Sequence, residues 1–363
     1  MSVGTPAATA SFSIQAADLA RVTAAMFAAA GVAPDVADVV AEDLVAADVE
    51  GVPSHGVMLV PMYLDRLAQH SVSTSAVGKV VSERDGAVVL DARNALGQPI
   101  ARQALQLAVD KARQFGVAVV TVKNAFHFGT AGRYARLMAD LGCVGIVMSN
   151  TRPLMPAPGG AEALVGNNPV AIAVPTQGPF QAETDLALSA TAMGKVRLAA
   201  AAGRSIPEGW AADSDGAPTT DPQAAIKGML LPAAGPKGFG LAFMVDMLCG
   251  GLSGGAVGAE VKPLYGNSQV SYGCSQLFLA INVGHFPDGG EFGDRVATQI
   301  ARVSESRRAP GTARVYAPGE LAFATRESSG GACRLSAETV RSLIDAGRKL
   351  GILLDDNLAM QKG

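Results

Sequence analysis

The chain has 363 residues, of which 49% are apolar and only 5% aromatic, enough material for a large core built mostly from Ala, Val and Leu. Its net charge of −3, with no basic run longer than two residues, weighs against a phosphate-backbone footprint, so nucleic acid is not an expected partner. Four cysteines (Cys143, Cys249, Cys274, Cys333) lie far apart without CxxC spacing and read as buried thiols of a reducing compartment; no disulfide frame and no metal site are expected.

In chain order, residues 1–11 are small and polar and are expected to fray. They lack the basic start and continuous apolar run of a signal peptide, and the most apolar stretch, 241–252, is short and interrupted by Asp246. A cytoplasmic protein with no membrane partner is the expectation. Helical periodicity marks 16–30, 34–49 and 57–67, with Pro34 and Asp35 suited to a first turn. A hairpin is predicted from 78–82 and 87–91, joined through Arg84-Asp85-Gly86, then a helix over 100–115 and a β-branched strand over 117–122. Beyond it, a helix near 131–141, strands at 144–149, 170–174 and 181–186, and a helix over 190–202 alternate. A turn-rich loop over 203–222 precedes an apolar helix over 237–249 that ends in Gly250-Gly251, a strand over 275–283 and a last helix over 337–350. The glycine run 250–258 reads as a loop. No Gly-x-Gly-x-x-Gly lies between an early strand and a helix, so the Rossmann phosphate loop is missing and a dinucleotide would be held another way.

Five segments carry residues suited to chemistry. In Asp48-Val49-Glu50-Gly51-Val52-Pro53-Ser54-His55-Gly56, a hydroxyl and an imidazole stand side by side after a helix break, and the chain has only four histidines for proton chemistry near neutral pH. Read alone, Ser54 also suits the N-cap of the helix from Val57, with His55 a first-turn surface residue. Asn124-Ala125-Phe126-His127-Phe128-Gly129-Thr130-Ala131-Gly132-Arg133-Tyr134 runs from a strand through a glycine turn into a helix start, whose N–H groups can hold an anion. Ser149-Asn150-Thr151-Arg152-Pro153, with Gly166-Asn167-Asn168-Pro169 beyond it, suits a ligand-lining loop in which Arg152 can clamp a carboxylate. Asp185 at a strand end can orient an imidazole, and Lys237 between glycines can meet phosphate; an N-cap and a surface charge are their plain alternatives.

In this order the segments resemble the malate/L-lactate dehydrogenase family, which is unrelated to the Rossmann lactate dehydrogenases and includes ureidoglycolate and sulfolactate dehydrogenases and Δ1-piperideine-2-carboxylate/Δ1-pyrroline-2-carboxylate reductases. The matching text begins with Asp48-x-x-Gly51-x-x-Ser54-His55-Gly56, Tyr63, His127-Phe128-Gly129 and Gly166-Asn167-Asn168-Pro169. It continues with Ile206-Pro207-Glu208-Gly209-Trp210, Pro218-Thr219-Thr220-Asp221-Pro222, Lys237-Gly238-Phe239-Gly240-Leu241 and Pro318-Gly319-Glu320. The resemblance implies NAD(P)-dependent hydride transfer at the carbon next to a carboxylate, on a 2-hydroxy/2-oxo acid or, alternatively, a cyclic imino acid. It implies a homodimer whose active site draws on both subunits. It also implies a mixed α+β fold: a non-Rossmann mixed sheet forming the NAD(P)H-binding domain over 96–329, with a helical domain from residues 12–95 and the C-terminal 330–363.

By position, the resemblance assigns Ser54, His55 and Asp185 to a proton relay with His55 passing the proton, and Thr151 to the substrate. It assigns His127, Phe128, Gly129, Thr130, Ala131, Asp185, Leu186, Ala187, Met193, Gly194, Gly235, Pro236, Lys237, Gly238, Phe239 and Gly240 to the cofactor. Arg133, Lys195 and Arg197 are cations that could receive a 2′-phosphate. Two positions depart from the family pattern. Leu59 stands where many members carry an Arg that pairs with the substrate carboxylate, which turns attention to Arg152 as its replacement. Pro236 removes a backbone donor from the Gly-Lys-Gly segment. A non-catalytic binding protein that has kept the fold is the reading from another class; Leu59 favours it and the retained Ser54, His55 and Asp185 oppose it.

Overall fold

Apolar residues three and four apart make the first helices. The computed structural model describes residues 11–353 and 361–362, and the fraying expected of residues 1–10 lies outside them. Ser11, expected among the frayed residues, instead begins strand β1 (Ser11–Gln15), which leads into α1 (Ala16–Ala29) and α2 (Pro34–Val49). In α2, Val36, Ala37, Val40, Ala41, Leu44, Val45 and Ala47 are all buried, and Pro34 at its start loses no intrahelical hydrogen bond. Two 3₁₀ turns, Pro53–His55 and Val57–Leu59, precede α3 (Val60–Ala68), so the helix expected from Val57 starts one turn late.

Next come the hairpin β2 (Lys79–Arg84) and β3 (Ala87–Asp91), α4 (Gly97–Phe115), β4 (Val117–Ala125), α5 (Ala131–Asp140) and β5 (Cys143–Ser149). A short pair, β6 (Met155–Pro156) and β7 (Ala163–Val165), leads to β8 (Val170–Val174), β9 (Ala182–Leu186) and α6 (Met193–Ala201). The stretch read as a loop holds β10 (Ala211–Ala212) and β11 (Pro218–Thr219), which with β12 (Met229–Leu230) form a small sheet beside α7 (Pro222–Lys227). Helix α8 (Pro236–Asp246) does not stop at Gly250-Gly251: it widens into a π turn over Met247–Gly251 and stays helical through Ser253. Strand β13 (Cys274–Asn282) and α9 (Phe292–Ser304) follow, then α10 (Glu320–Ser328), β14 (Ala332–Ser336), α11 (Ala337–Lys349) and β15 (Gln361–Lys362).

Seven strands form one mixed sheet in the order β2-β3-β4-β13-β5-β8-β9. Only β3 and β4 run parallel, joined by α4 as a crossover; the other neighbours are antiparallel. This is the mixed, non-Rossmann α+β sheet the sequence led us to expect. The chain divides into two compact units, residues 1–76 with 320–363, and residues 77–319. The hairpin β2–β3, which the expected boundary after residue 95 placed with the N-terminal helices, hydrogen-bonds into the large sheet of the second unit. The first unit holds α1, α2, α3, α10 and α11 together with a small sheet, β14-β1-β15, that no strand expectation covered. In the second unit Val196, Ile206, Leu230, Val245 and Leu277 belong to one buried cluster, against which Met193, Trp210 and Phe239 pack.

Candidate active site

In the first unit, the chain leaves α2 through Gly51 at φ +76°, which sets up the turn Pro53–His55. There Ser54 Oγ lies 2.9 Å from His55 Nδ1, fixing the rotation of the ring. Burial lowers the His55 pKa from its usual 6.5, so the neutral imidazole dominates at neutral pH. Ser54 does not cap the following helix. The Val57 amide donates instead to Asp48 Oδ2 at 2.7 Å, an acceptor nine residues upstream on α2. The backbone at Gly56 passes so close to Asp48 that a Cβ there would overlap its carboxylate. Burial pushes the Asp48 carboxyl up to about 7 against the opposing pull of the Val57 amide. Leu59, where many family members carry Arg, is 2% exposed and belongs to this unit's core with Tyr63, whose ring meets Phe27 edge-on at 6.3 Å.

In the second unit, the carboxyl end of β4 feeds the turn that carries half-buried His127. Phe128 is 4% exposed and stacks on Tyr134 at 5.1 Å, while Tyr134 Oη donates to the Phe128 carbonyl at 2.6 Å. Its ring therefore anchors the turn in the core, and of Phe128 only the backbone is left for a ligand at this turn. Gly129, at φ +91°, then turns the chain through Thr130 into α5, which starts at Ala131. The Gly132 amide in the first turn of α5 donates to Asp185 Oδ2 at 2.8 Å. Beside it, Arg136 Nη1 donates to both oxygens of Glu183 at 2.7 Å, so β9 is tied to α5 by two carboxylates. The structure thus brings Ser54 and His55 together in one unit and places Asp185 against α5 in the other.

Three helix starts in the second unit carry the residues assigned to a cofactor. Thr130 and Ala131 open α5, Met193 and Gly194 open α6 just beyond Leu186 and Ala187 at the end of β9, and Gly235 to Gly240 open α8. Before α8, Ala234 and Gly235 both have positive φ, +53° and +62°. An alanine in that region is strained, and a Cβ on Gly238 would overlap the Ala233 carbonyl. Small residues at a helix start leave backbone amides of a kind that can hold an anion. Pro236 withholds one donor there, and exposed Lys237 adds a positive charge. Among the described residues no group of three or more His, Cys, Asp or Glu could hold a metal ion.

The loop after β5 is held from beneath by buried amides. The Thr151 amide donates to Asn168 Oδ1 at 2.9 Å, Thr151 Oγ1 to Asn167 Oδ1 at 2.8 Å, and Asn168 Nδ2 to the Ala242 carbonyl of α8 at 2.8 Å. Asn150 Nδ2 donates to Asp246 Oδ1 at 2.7 Å, and Asn150 Oδ1 accepts from the Ser275 amide at 2.7 Å. The Gly258 amide donates to the other Asp246 oxygen at 3.0 Å. Arg152 is exposed, and its guanidinium makes no ion pair among the described residues. Sequence reasoning missed Asp246 as an anchor and took it only as a break in an apolar helix. A lone acid in such a helix was the available signal, because a buried charge needs partners.

A family model described as malate/L-lactate dehydrogenase matches residues 14–343. The chain is 38% identical to a malate dehydrogenase of Pyrococcus abyssi over 80% of its own length and 82% of that protein. It is 38% identical to a (2R)-3-sulfolactate dehydrogenase (NADP(+)) of Chromohalobacter salexigens, covering 77% and 83%. With a ureidoglycolate dehydrogenase (NAD(+)) of Escherichia coli O157:H7 it shares 36%, covering 80% and 83%. Among solved structures, the sulfolactate dehydrogenase of Methanocaldococcus jannaschii superposes with a TM-score of 0.89 at 32% identity, covering 95% of this chain and 99% of that one. The Δ1-piperideine-2-carboxylate reductase of Pseudomonas syringae pv. tomato gives 0.80 at 31% identity, covering 92% and 99%.

Proposed function

Because the chain belongs to the malate/L-lactate dehydrogenase family, we propose that it is an NAD(P)-dependent enzyme moving a hydride to or from the carbon α to a carboxylate, with a 2-hydroxy/2-oxo acid as substrate. An oxidoreductase of this family is what its relatives are named as, and their names include both NAD(+) and NADP(+) enzymes. The observation that carries the reading is the Ser54–His55 pair, 2.9 Å apart, with a ring that burial keeps neutral. A neutral imidazole held through Nδ1 presents Nε2 to the substrate hydroxyl as a general base, and returns that proton in the reductive direction. Such a base contributes roughly 10²–10⁴-fold to rate. The family resemblance assigns Asp185 to the same relay, and its carboxylate accepts from the first turn of α5.

When bound, the nicotinamide supplies the hydride acceptor or donor. Its pyrophosphate would be held at the helix starts near Ala131, Met193-Gly194 and Gly235 to Gly240, where small residues leave the backbone amides approachable. With Leu59 in the core, Arg152 is our candidate for the substrate carboxylate, next to Thr151. Replacing Arg152 by Lys should raise KM about tenfold, since a point charge cannot reproduce the planar fork, and an unchanged KM ends the assignment. We also infer a homodimer and a cytoplasmic location. Leu241, Met244, Leu248 and Leu252 project from α8 and its continuation at helical spacing, 57%, 57%, 37% and 59% exposed, an apolar stripe suited to a second copy. All four cysteines are unbridged and buried.

A panel of 2-oxo acids, with and without methylamine, and of cyclic imines, followed as NAD(P)H oxidation, tests the function. The piperideine carboxylate reductase neighbour keeps C=N reduction as the second reading, and activity confined to imines would replace the first by the second.

A further inference from the structure

We propose that Asp48 is the positioning residue of His55: from the end of α2 its buried carboxyl seats the Pro53–His55 turn by accepting the Val57 amide and by filling the space that Gly56 leaves. Three observations meet here. The Oδ2 bond, at 2.7 Å, bridges nine residues and closes the segment that contains Ser54 and His55 into a loop. Gly56 has φ −95° and ψ −155°, a conformation open to other residues, so its lack of a side chain answers to the carboxylate beside it and not to backbone strain. The other oxygen, Oδ1, is buried and has no hydrogen-bond partner among the described residues.

A structural cap alone would be cheaper. Asparagine offers the same acceptor without a charge to bury, and an orphaned carboxylate oxygen inside a protein costs stability. Asp48 is instead a carboxyl that can change charge directly behind the turn. As an acid its proton sits on Oδ1 and Oδ2 still accepts from Val57; once ionised, the same bond becomes charge-assisted and tightens. The titratable groups nearest it along the chain are Asp43 on its own helix, Glu50 just past the helix end and His55 in the turn, and from β14 its charge reaches Cys333. Burial and the field of Asp48 push the Cys333 thiol up to about 12, so that thiol stays neutral and Asp48 is the group that switches near neutrality.

The role in turnover rests on His55 being the proton carrier, but the positioning is tested without substrate. Protein labelled with ¹³C at histidine Cε1 gives one signal for each of its four histidines, and the His55 signal is identified by its loss in His55→Gln. In the wild type the signal should move twice with pH, once with the ring's own ionisation below 6.5 and again near 7 as Asp48 ionises. Asp48→Asn should remove the second step and leave the line sharp. Asp48→Ala should broaden the line and bring the ring's titration back toward the ordinary imidazole value. A second step that persists in Asp48→Asn overturns the proposal, as does an Asp48→Ala signal that titrates like the wild type. If circular dichroism shows Asp48→Ala unfolded, Asp48→Asn decides alone. Should an active substrate be in hand, Asp48→Ala should lower kcat at least tenfold with KM within twofold; an inactive wild type would count against the proposed function and leave the spectroscopic result standing.

Discussion

Asp48 and Asp246 are buried aspartates, one in each unit, and they are accommodated in opposite ways. Asp246 has both oxygens engaged, one by Asn150 and one by the Gly258 amide, and joins α8 to the loop that carries Thr151 and Arg152. Asp48 has one bonded oxygen and one orphan, and its carboxyl rises to about 7. Burial raises the pKa of both; hydrogen bonds oppose that rise on two sides for Asp246 and on one for Asp48. The second unit thus spends its buried acid on rigidity beneath a ligand loop. The first unit keeps an acid that titrates near neutrality next to its imidazole.

The comparison breaks most visibly in stability against pH. An acid whose folded pKa is about 7, against 3.8 unfolded, holds its proton longer in the folded chain, so its contribution falls as pH rises from about 4 to about 7. By the usual conversion this loss is about 4 kcal/mol. Asp48→Asn cannot ionise, so in urea titrations it should gain on the wild type across that window and level off above it. Parallel curves would mean that the carboxyl is not held as an acid. Second in size is Asp246→Ala, which strands the Asn150 amide and the Gly258 N–H and should cost about 3 kcal/mol at neutral pH. The smallest effect is expected from Tyr134→Phe. It removes the 2.6 Å bond to the Phe128 carbonyl but keeps the stacked ring, for about 1 kcal/mol and little change in turnover.

The same contrast explains what could be read in advance. Strand β4 announced itself by its run of β-branched residues and α2 by its three-and-four spacing, because both are local patterns. Ser54 looked like a cap because capping rules look one to three residues ahead, whereas the acceptor came from Asp48, nine residues back. The Asp185–Gly132 bond spans 53 positions, and the Asn150–Asp246 bond 96; no local rule reaches that far. The order of the motifs along the chain led to the family; the starts of α5 and α8 fell within one residue of the expected positions, and α6 begins three residues later than expected. The core role of the Phe128 ring was not legible, because a residue inside a ligand motif can also be its anchor. The strands β1 and β14 escaped notice since each is only five residues long and they pair across almost the whole chain.

The most direct test of the central claim compares the wild type with His55→Gln, using NAD(P)H oxidation on the most active 2-oxo acid and cofactor binding measured separately by fluorescence. Our account expects turnover to fall by roughly 10²–10⁴-fold while the cofactor Kd stays within about twofold, since the ring moves a proton and does not hold the nucleotide. A variant that turns over like the wild type would contradict it.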